Sequence, residues 1–476
     1  MTRFDAAVVG SGPNGLAAAI TLAQSGKSVV VVEANNTIGG AARSAELIEP
    51  GVIHDIGAAI VPLGVASPFF KGIADELTRH GLQWITPPAA TAHPLDGGRA
   101  AVAWNDLDRT ADGLGPDGAA YRRFYKPWID NIDDLINLAL RPPVRVPDRP
   151  LLSARFGATS ALPATTLAKR TWESSEALGL FAGHAAHSVL PLTAPFTATF
   201  GILFGSLAHS VGWGFPAGGV QQLTDAMVSL FEDLGGEVRT GHRVDSLDDI
   251  PEATATVLSV TPRQADEIAG DHFDGSFRRA LRDWKYGPGA WKVDYVLDEP
   301  IPWTNPDVAS AGTVHIGGTI EEITQAEAAV AQGKLSDAPF VLLAQHTNFD
   351  EGRAPHGRHT AWAYCHVPNG CVVDQTAAIE GQIERFAPGF KDVVRGRHIT
   401  SPADLERQNA NLIGGDIGGG SYAGKQLLFR PRAHPRPYDT SDPSIFIASA
   451  STSPGGGVHG MAGHGAALRA LQTSLR

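Results

Sequence analysis

Three glycines hold the most chemical information in this chain. Gly10, Gly12 and Gly15 stand at the spacing G-x-G-x-x-G, with Pro13 and Asn14 between them, directly after the apolar run Ala6 to Val9. After a strand, the first glycine permits a tight turn, the second lets backbone approach a pyrophosphate, and the third lets a helix close onto the sheet. The predicted helix, Asn14 to Ser25, aims unpaired N–H groups and a partial positive charge at the phosphates. A second apolar run, Ser28 to Val32, leads into Glu33 and Ala34, and a carboxylate at that place accepts hydrogen bonds from a ribose diol. Together these residues specify an adenine dinucleotide. A glycine-pair loop follows, Ile38, Gly39, Gly40, Ala41, Ala42 and Arg43, of the kind that FAD proteins run beside the pyrophosphate and ribityl chain. A second G-x-G-x-x-G at Gly113, Gly115 and Gly118 follows LDRTAD without a strand before it, and reads as a turn.

Other reactive side chains are sparse. His184 and His187 are spaced i, i+3 and can share a helix face, which permits metal ligation in principle. No carboxylate accompanies them, so a packed or pocket-lining role is expected. His54, beside a strand, is expected to be a hydrogen-bonded structural residue. Cys365 and Cys371 are the only cysteines and form no C-x-x-C pair, so electron transfer here works without a dithiol relay.

The stretches GSGPNG with VVEA, IGGAARS, HDIGAAIVP and IFIASASTSPGGGVHGMAGHGAALRAL occur in an order that spans the chain. Together they resemble the phytoene desaturase-like branch of the flavin amine oxidase superfamily, and within it the pyridine nucleotide-disulfide oxidoreductase domain-containing protein 2-like group. The resemblance implies an α/β fold: a Rossmann-type FAD-binding domain assembled from discontinuous segments, plus a substrate domain of mixed sheet and helices. It implies FAD as cofactor, with Gly57, Ala58 and Ala59 bringing backbone against the flavin and Val244 lying against the adenine. His459, Gly460 and Met461 would form a turn facing the pyrimidine end of the ring, and Ser451 would also bind the cofactor. Lys292 would stand near flavin N5 and, desolvated at the start of an apolar strand, would have a lowered pKa suited to moving protons. Lys292 and His459 are thus the catalytic candidates. Arg43 stands two residues further from the glycine pair than the arginine of amine oxidases, and His459 stands where they carry an aromatic residue. The first departure bears on the pyrophosphate role of Arg43, and the second disfavours amine oxidation; the resemblance implies hydride removal from a hydrophobic small molecule, by C–C desaturation or polyene dehydrogenation or isomerisation. Amine oxidation is the alternative, and a flavin-binding protein without turnover is a second one. Without a second nucleotide motif, electrons would leave to oxygen, a quinone or another soluble acceptor.

These residues need a scaffold to bring them together. At 476 residues the chain suggests two or three domains. Residues 1–70, 215–284 and 431–476 are expected to form the FAD-binding domain, and 71–214 with 285–430 the substrate domain. Leu223, Met227, Leu230 and Leu234 give a helical stripe stopped by Gly235 and Gly236. Strands are expected at 237–244, 255–260, 340–344 and 444–448, and the alternation of Val293, Tyr295 and Leu297 predicts a half-buried strand. Residues 71–214 read as mostly helical, broken by the surface loop Arg141 to Pro150, with Phe181, Phe196, Phe200, Phe204, Trp213 and Phe215 as core or as the wall of an apolar cavity. The net charge of -12, without a Lys/Arg block, argues against nucleic acid as a partner. The N-terminus carries no signal-peptide pattern, which predicts a cytoplasmic enzyme. Leu178 to Phe215 is too interrupted by His and Pro to span a bilayer, though a peripheral membrane contact fits its composition.

Overall fold

The computed structural model describes residues 3–476 except 144 and 147, so part of the expected Arg141–Pro150 loop lies outside the described residues. Two sheets organise the chain. The elements that matter for the site are, in chain order, strand β1 (Phe4–Val9), helix α1 (Pro13–Gln24), β2 (Val29–Val32) and β3 (Ile53–Asp55). There follow β4 (Ala89–Leu95), β5 (Arg99–Trp104), α2 (Ser175–Ala186), α3 (Ala198–Ala208) and α4 (Gln221–Asp233). Next come β6 (Glu237–Arg239), β7 (Ala253–Leu258), β8 (Gly289–Leu297), β9 (Ala311–Ile316), β10 (Val341–Ala344) and β11 (His359–Val367). The chain closes with β12 (Val394–Thr400), β13 (Ile445–Ile447) and α5 (Met461–Gln472).

The first sheet has the order β13-β7-β1-β2-β6, and all its pairs are parallel. Both faces are covered, which is why β1 and β2 read as continuous apolar runs. Ala6, Val8, Val29 and Val31 pack with α1 and α5 on one side. Ala7, Val9, Val30 and Val32 pack on the other side against Ile268, Phe277 and their helices. Pro13 opens α1 with a fixed φ, and no side chain caps its first turn. Helix α5 crosses α1 at backbone contact: a Cβ on Gly463 would stand 1.7 Å from the Asn14 carbonyl oxygen.

The second sheet has the order β12-β8-β11-β10-β9-β4-β5, antiparallel except for β9 with β4. Several expectations need correction. The segment 71–214 is mostly helical but also supplies β4 and β5, which complete this sheet. Strand β8 is not half-buried: all nine residues are buried, Val293, Tyr295 and Leu297 in the core below and Lys292 and Asp294 on the opposite face. Strand β6 ends at Arg239 rather than 244, since Gly241 adopts φ +67° and turns the chain across the end of β2. Leu234 caps α4 and is exposed, whereas Leu223, Met227 and Leu230 are buried. The second glycine triplet does form a turn, between helices Leu107–Gly113 and Gly118–Ile129. Among the described residues no helix is long and apolar enough to cross a membrane.

Candidate active site

A single cavity of about 440 Å³ runs from the end of β2 to the face of the mixed sheet. Its first end is built by the glycine turn. Gly10, Gly12, Pro13, Asn14, Glu33, Ala34, Gly40 and Ala41 all line it. Gly10 has φ +97°, and a Cβ on Gly15 would stand 1.9 Å from the Gly10 carbonyl oxygen, so Gly15 lies behind the turn and seats α1 on it. The glycine pair crosses the turn closely: a Cβ on Gly40 would stand 3.0 Å from Gly12 Cα. Glu33 accepts hydrogen bonds from Ser11 N (2.9 Å), Ser11 Oγ (2.7 Å) and Asn35 N (2.8 Å). The Gly39 amide in turn donates to Ser11 Oγ at 3.1 Å, so one serine links turn, strand and loop. The uncapped first turn of α1 leaves N–H donors facing this space.

Arg43 does not line the cavity. Its guanidinium donates to the Gly40 carbonyl (2.8 Å), Thr37 Oγ1 (3.1 Å) and the Gln408 carbonyl (2.8 Å), bracing the glycine pair against the loop whose Asn409, Ala410 and Asn411 form the opposite wall. Val244 lines the nucleotide end with His242, Arg243 and Asp245. Gly57, Ala58 and Ala59 line the middle, where a Cβ on Gly57 would stand 2.2 Å from the Ala41 carbonyl oxygen. The C-terminal turn reaches the cavity through Ser449, Ala450, Gly457 and Val458 rather than through Ser451, Gly460 or Met461. His459 is also withdrawn, 1% exposed, with both ring nitrogens spent on its own turn: Nδ1 accepts from Met461 N (3.1 Å) and Nε2 donates to the Gly455 carbonyl (3.2 Å). A ring so engaged has no nitrogen for a substrate proton, so the catalytic expectation for His459 fails on geometry.

Lys292 lines the other end on the cavity face of β8. The strand period places Asp294 on the same face, and the register sets Lys292 opposite Tyr364 and Asp294 opposite Trp362. Lys292 Nζ and the Asp294 carboxylate form a buried ion pair, with the Trp362 ring 5.8 Å from Nζ. This carboxylate is what the sequence reading missed, and it changes the chemistry. A lone desolvated lysine would tend towards the neutral amine, whereas this one is met by a fully buried counter-ion. Burial pushes the Asp294 carboxyl up and Lys292 pulls it back. His54 sits behind, its Nδ1 3.9 Å from Asp294 Oδ1, drawn down to about 4 by burial and by the charge of Lys292.

A second buried ion pair locks the frame. Asp55 on β3 meets Arg353 at 2.6 Å and accepts from Ser44 Oγ (2.6 Å) and Val220 N (2.8 Å). Arg353 also contacts Asp350 at 2.8 Å and donates to the Pro216 carbonyl at 2.9 Å. Burial works to raise the Asp55 carboxyl, but Arg353, His346 and Ser44 outweigh it and hold it below its usual range. Arg353 carried no local sequence signal, because Asp55 and the Pro216 carbonyl come from distant segments and only Asp350 is a sequence neighbour.

Comparison with known proteins fits this geometry. Residues 8–77 match the NAD(P)-binding Rossmann-like domain. The chain is 26% identical to rat (Rattus norvegicus) pyridine nucleotide-disulfide oxidoreductase domain-containing protein 2, over 98% of this chain and 93% of that protein. It is 24% identical to a lycopene-forming phytoene desaturase of Paracoccus sp., over 98% and 97% of the two chains. The fold superposes on putrescine oxidase bound to putrescine with a TM-score of 0.63 at 20% identity, covering 98% of both chains. The cofactor of such proteins is FAD, and the residues present fit it. The glycine turn admits no Cβ at Gly15, the first helical turn is uncapped, and small residues line the passage from Glu33 to Lys292.

Proposed function

We propose that this protein, an FAD-dependent oxidoreductase of the flavin oxidoreductase superfamily, removes a hydride from an uncharged, largely apolar small molecule, most simply by desaturating a C–C bond. The observation that carries this reading is the distribution of charge along the cavity. Its acidic lining residues, Glu33, Asp245 and Glu267, come from the residue after β2, the turn after β6 and the helix Pro262–Ala269, beside the first sheet. The lining contributed by the strands of the mixed sheet is Ala290, Lys292, Thr313, Leu342, Ala344, Trp362 and Tyr364, of which Lys292 alone is charged. An ammonium substrate would meet a cation and no free carboxylate there, because Asp294 is already paired. An apolar chain meets walls of its own polarity.

When bound, FAD supplies a hydride acceptor for the substrate carbon, the second hydrogen leaves as a proton, and the electron pair passes on to oxygen, a quinone or another acceptor. Gly10, Gly12, the α1 N-terminus and Glu33 would hold the nucleotide half, and Gly57, Ala58, Ala59 and Val458 the ring-bearing half. Lys292, fixed by Asp294 and the Trp362 face, presents N–H donors to the cavity, where it favours negative charge developing beside it. The aromatic wall excludes water. Anaerobic mixing of the FAD-loaded protein with a panel of polyenes and a panel of primary amines tests the reading. Bleaching of the flavin by polyenes alone is expected, and bleaching by amines alone overturns it.

A further inference from the structure

The cavity extends past Lys292 across the mixed sheet. Lys292 pairs with Tyr364, Tyr364 with Leu342, and Leu342 with His315, so Lys292 and His315 lie in one cross-strand row. They are three strand spacings apart, roughly 14 Å. Over the far end of this row sits His187, the C-cap of α2, its ring 4.8 Å from Phe204 and 5.3 Å from Trp213. His187, Phe204 and Trp213 line the cavity. His187 Nε2 is 3.0 Å from His315 Nε2, so one of the two nitrogens must carry the shared proton.

The surroundings of His315 decide which. Its Nδ1 is buried without a partner among the described residues and faces the backbone of Gly183, where an added Cβ would stand 2.6 Å away. An N–H stranded there forfeits a hydrogen bond, and a bare lone pair is the smaller loss. His315 therefore carries its proton on Nε2 and donates it to His187 Nε2, which puts the His187 proton on Nδ1. No hydrogen bond to the described residues engages that nitrogen. Burial keeps both rings uncharged, drawing His187 down to about 3 and His315 well below the usual histidine range.

We propose that His187 Nδ1–H anchors a neutral oxygen acceptor, a carbonyl, ether or hydroxyl oxygen, carried by the end of the substrate remote from Lys292. The donor is uncharged and walled by Phe204 and Trp213, so it suits neither an ammonium, which offers no lone pair, nor a carboxylate, which would be desolvated without a counter-ion. The Lys292–His315 row acts as a ruler: the substrate is an elongated apolar body with its oxygen at one end and the oxidised bond towards the other.

This inference rests on the apolar-substrate reading, and a binding measurement separates the two. Calorimetric titration of the FAD-loaded protein with acetophenone, ethylbenzene, phenethylamine and phenylacetate reads affinity without turnover. Acetophenone is expected to bind roughly tenfold more tightly than ethylbenzene. In H187F, which keeps an aromatic ring between Phe204 and Trp213, that preference is expected to vanish while ethylbenzene binding and FAD content persist. Should H187F fail to fold, the smaller H187L reads the same ratio. Equal affinity for acetophenone and ethylbenzene in the wild type, or a preference that survives in either variant, overturns the anchor and leaves the apolar reading intact. Tightest binding of phenethylamine or phenylacetate, or binding of none of the four, overturns both.

Discussion

At the scale of single residues, chemistry at the mixed sheet depends on one cation and the carboxylate beneath it. Lys292 and Asp294 are 3% and 0% exposed, so removing either leaves the other charge buried without a partner. K292M is expected to lower the free energy of unfolding by about 3 to 5 kcal/mol in urea titrations. The double variant K292M/D294L, which removes both charges, is expected to recover most of that loss. With FAD still bound, K292M is expected to slow substrate-driven flavin reduction by about two orders of magnitude. A K292M protein of unchanged stability and rate would contradict the role given to the pair. Gly10, Gly12, Gly15 and Glu33 were legible in the sequence because their task is set by backbone geometry within one βαβ unit. Asp294 was half-legible: its spacing from Lys292 places both on one face of a strand, but burial of that face depends on segments far away in the chain. The reach of His54 to Asp294 and of Arg353 to Asp55 had no local signal at all.

Among the elements, the crossing of α1 and α5 transmits the C-terminal turn to the nucleotide end. Gly463 is the contact point, so G463A must push the helices apart by moving backbone, at a cost on the order of 3 kcal/mol. G157A is the matched control: Gly157 lies exposed inside the helix Pro150–Ser160 with nothing near its missing Cβ. That change is expected to stabilise by up to about 1 kcal/mol. Chemical denaturation of both variants, with retained FAD measured alongside, checks the pair; equal effects would contradict the close crossing. Long apolar runs and apolar stretches of helical period made β1, α1, β2, α4 and β7 readable. Strands β4 and β5 escaped because they form a short hairpin within a stretch of helices, and β4 joins the sheet only through β9, some 200 residues on.

For the whole molecule, the histidines set an acid limit. Burial lowers His54, His93, His209 and His459 to about 4, and His187 and His346 to about 3. The unfolded chain binds protons at these side chains near pH 6.5, whereas the folded chain does not until pH 3 to 4. Between these values the unfolded state holds more protons, so stability falls as pH falls. Each histidine contributes about 1.4 kcal/mol per pH unit across that window. A thermal melt series should therefore show Tm constant above pH 7 and dropping steeply within about two units below 6.5. A flat Tm down to pH 4.5 would contradict the buried, neutral histidines. At this scale the discontinuous cradle was legible from the order of its motifs, whereas the shape of the substrate wall was not, because it is assembled from β8 to β11 and from α2 and α3 at once.

The central claim is that the protein takes H2 from an uncharged apolar substrate at the Lys292 end of the cavity. Its most direct test is a single anaerobic turnover with a polyene that bleaches the flavin, followed by mass analysis of the organic product. The account predicts a product short of two hydrogen atoms, formed one for one with reduced flavin. Flavin reduction accompanied instead by release of ammonia from an amine, with polyenes recovered unchanged, would contradict it.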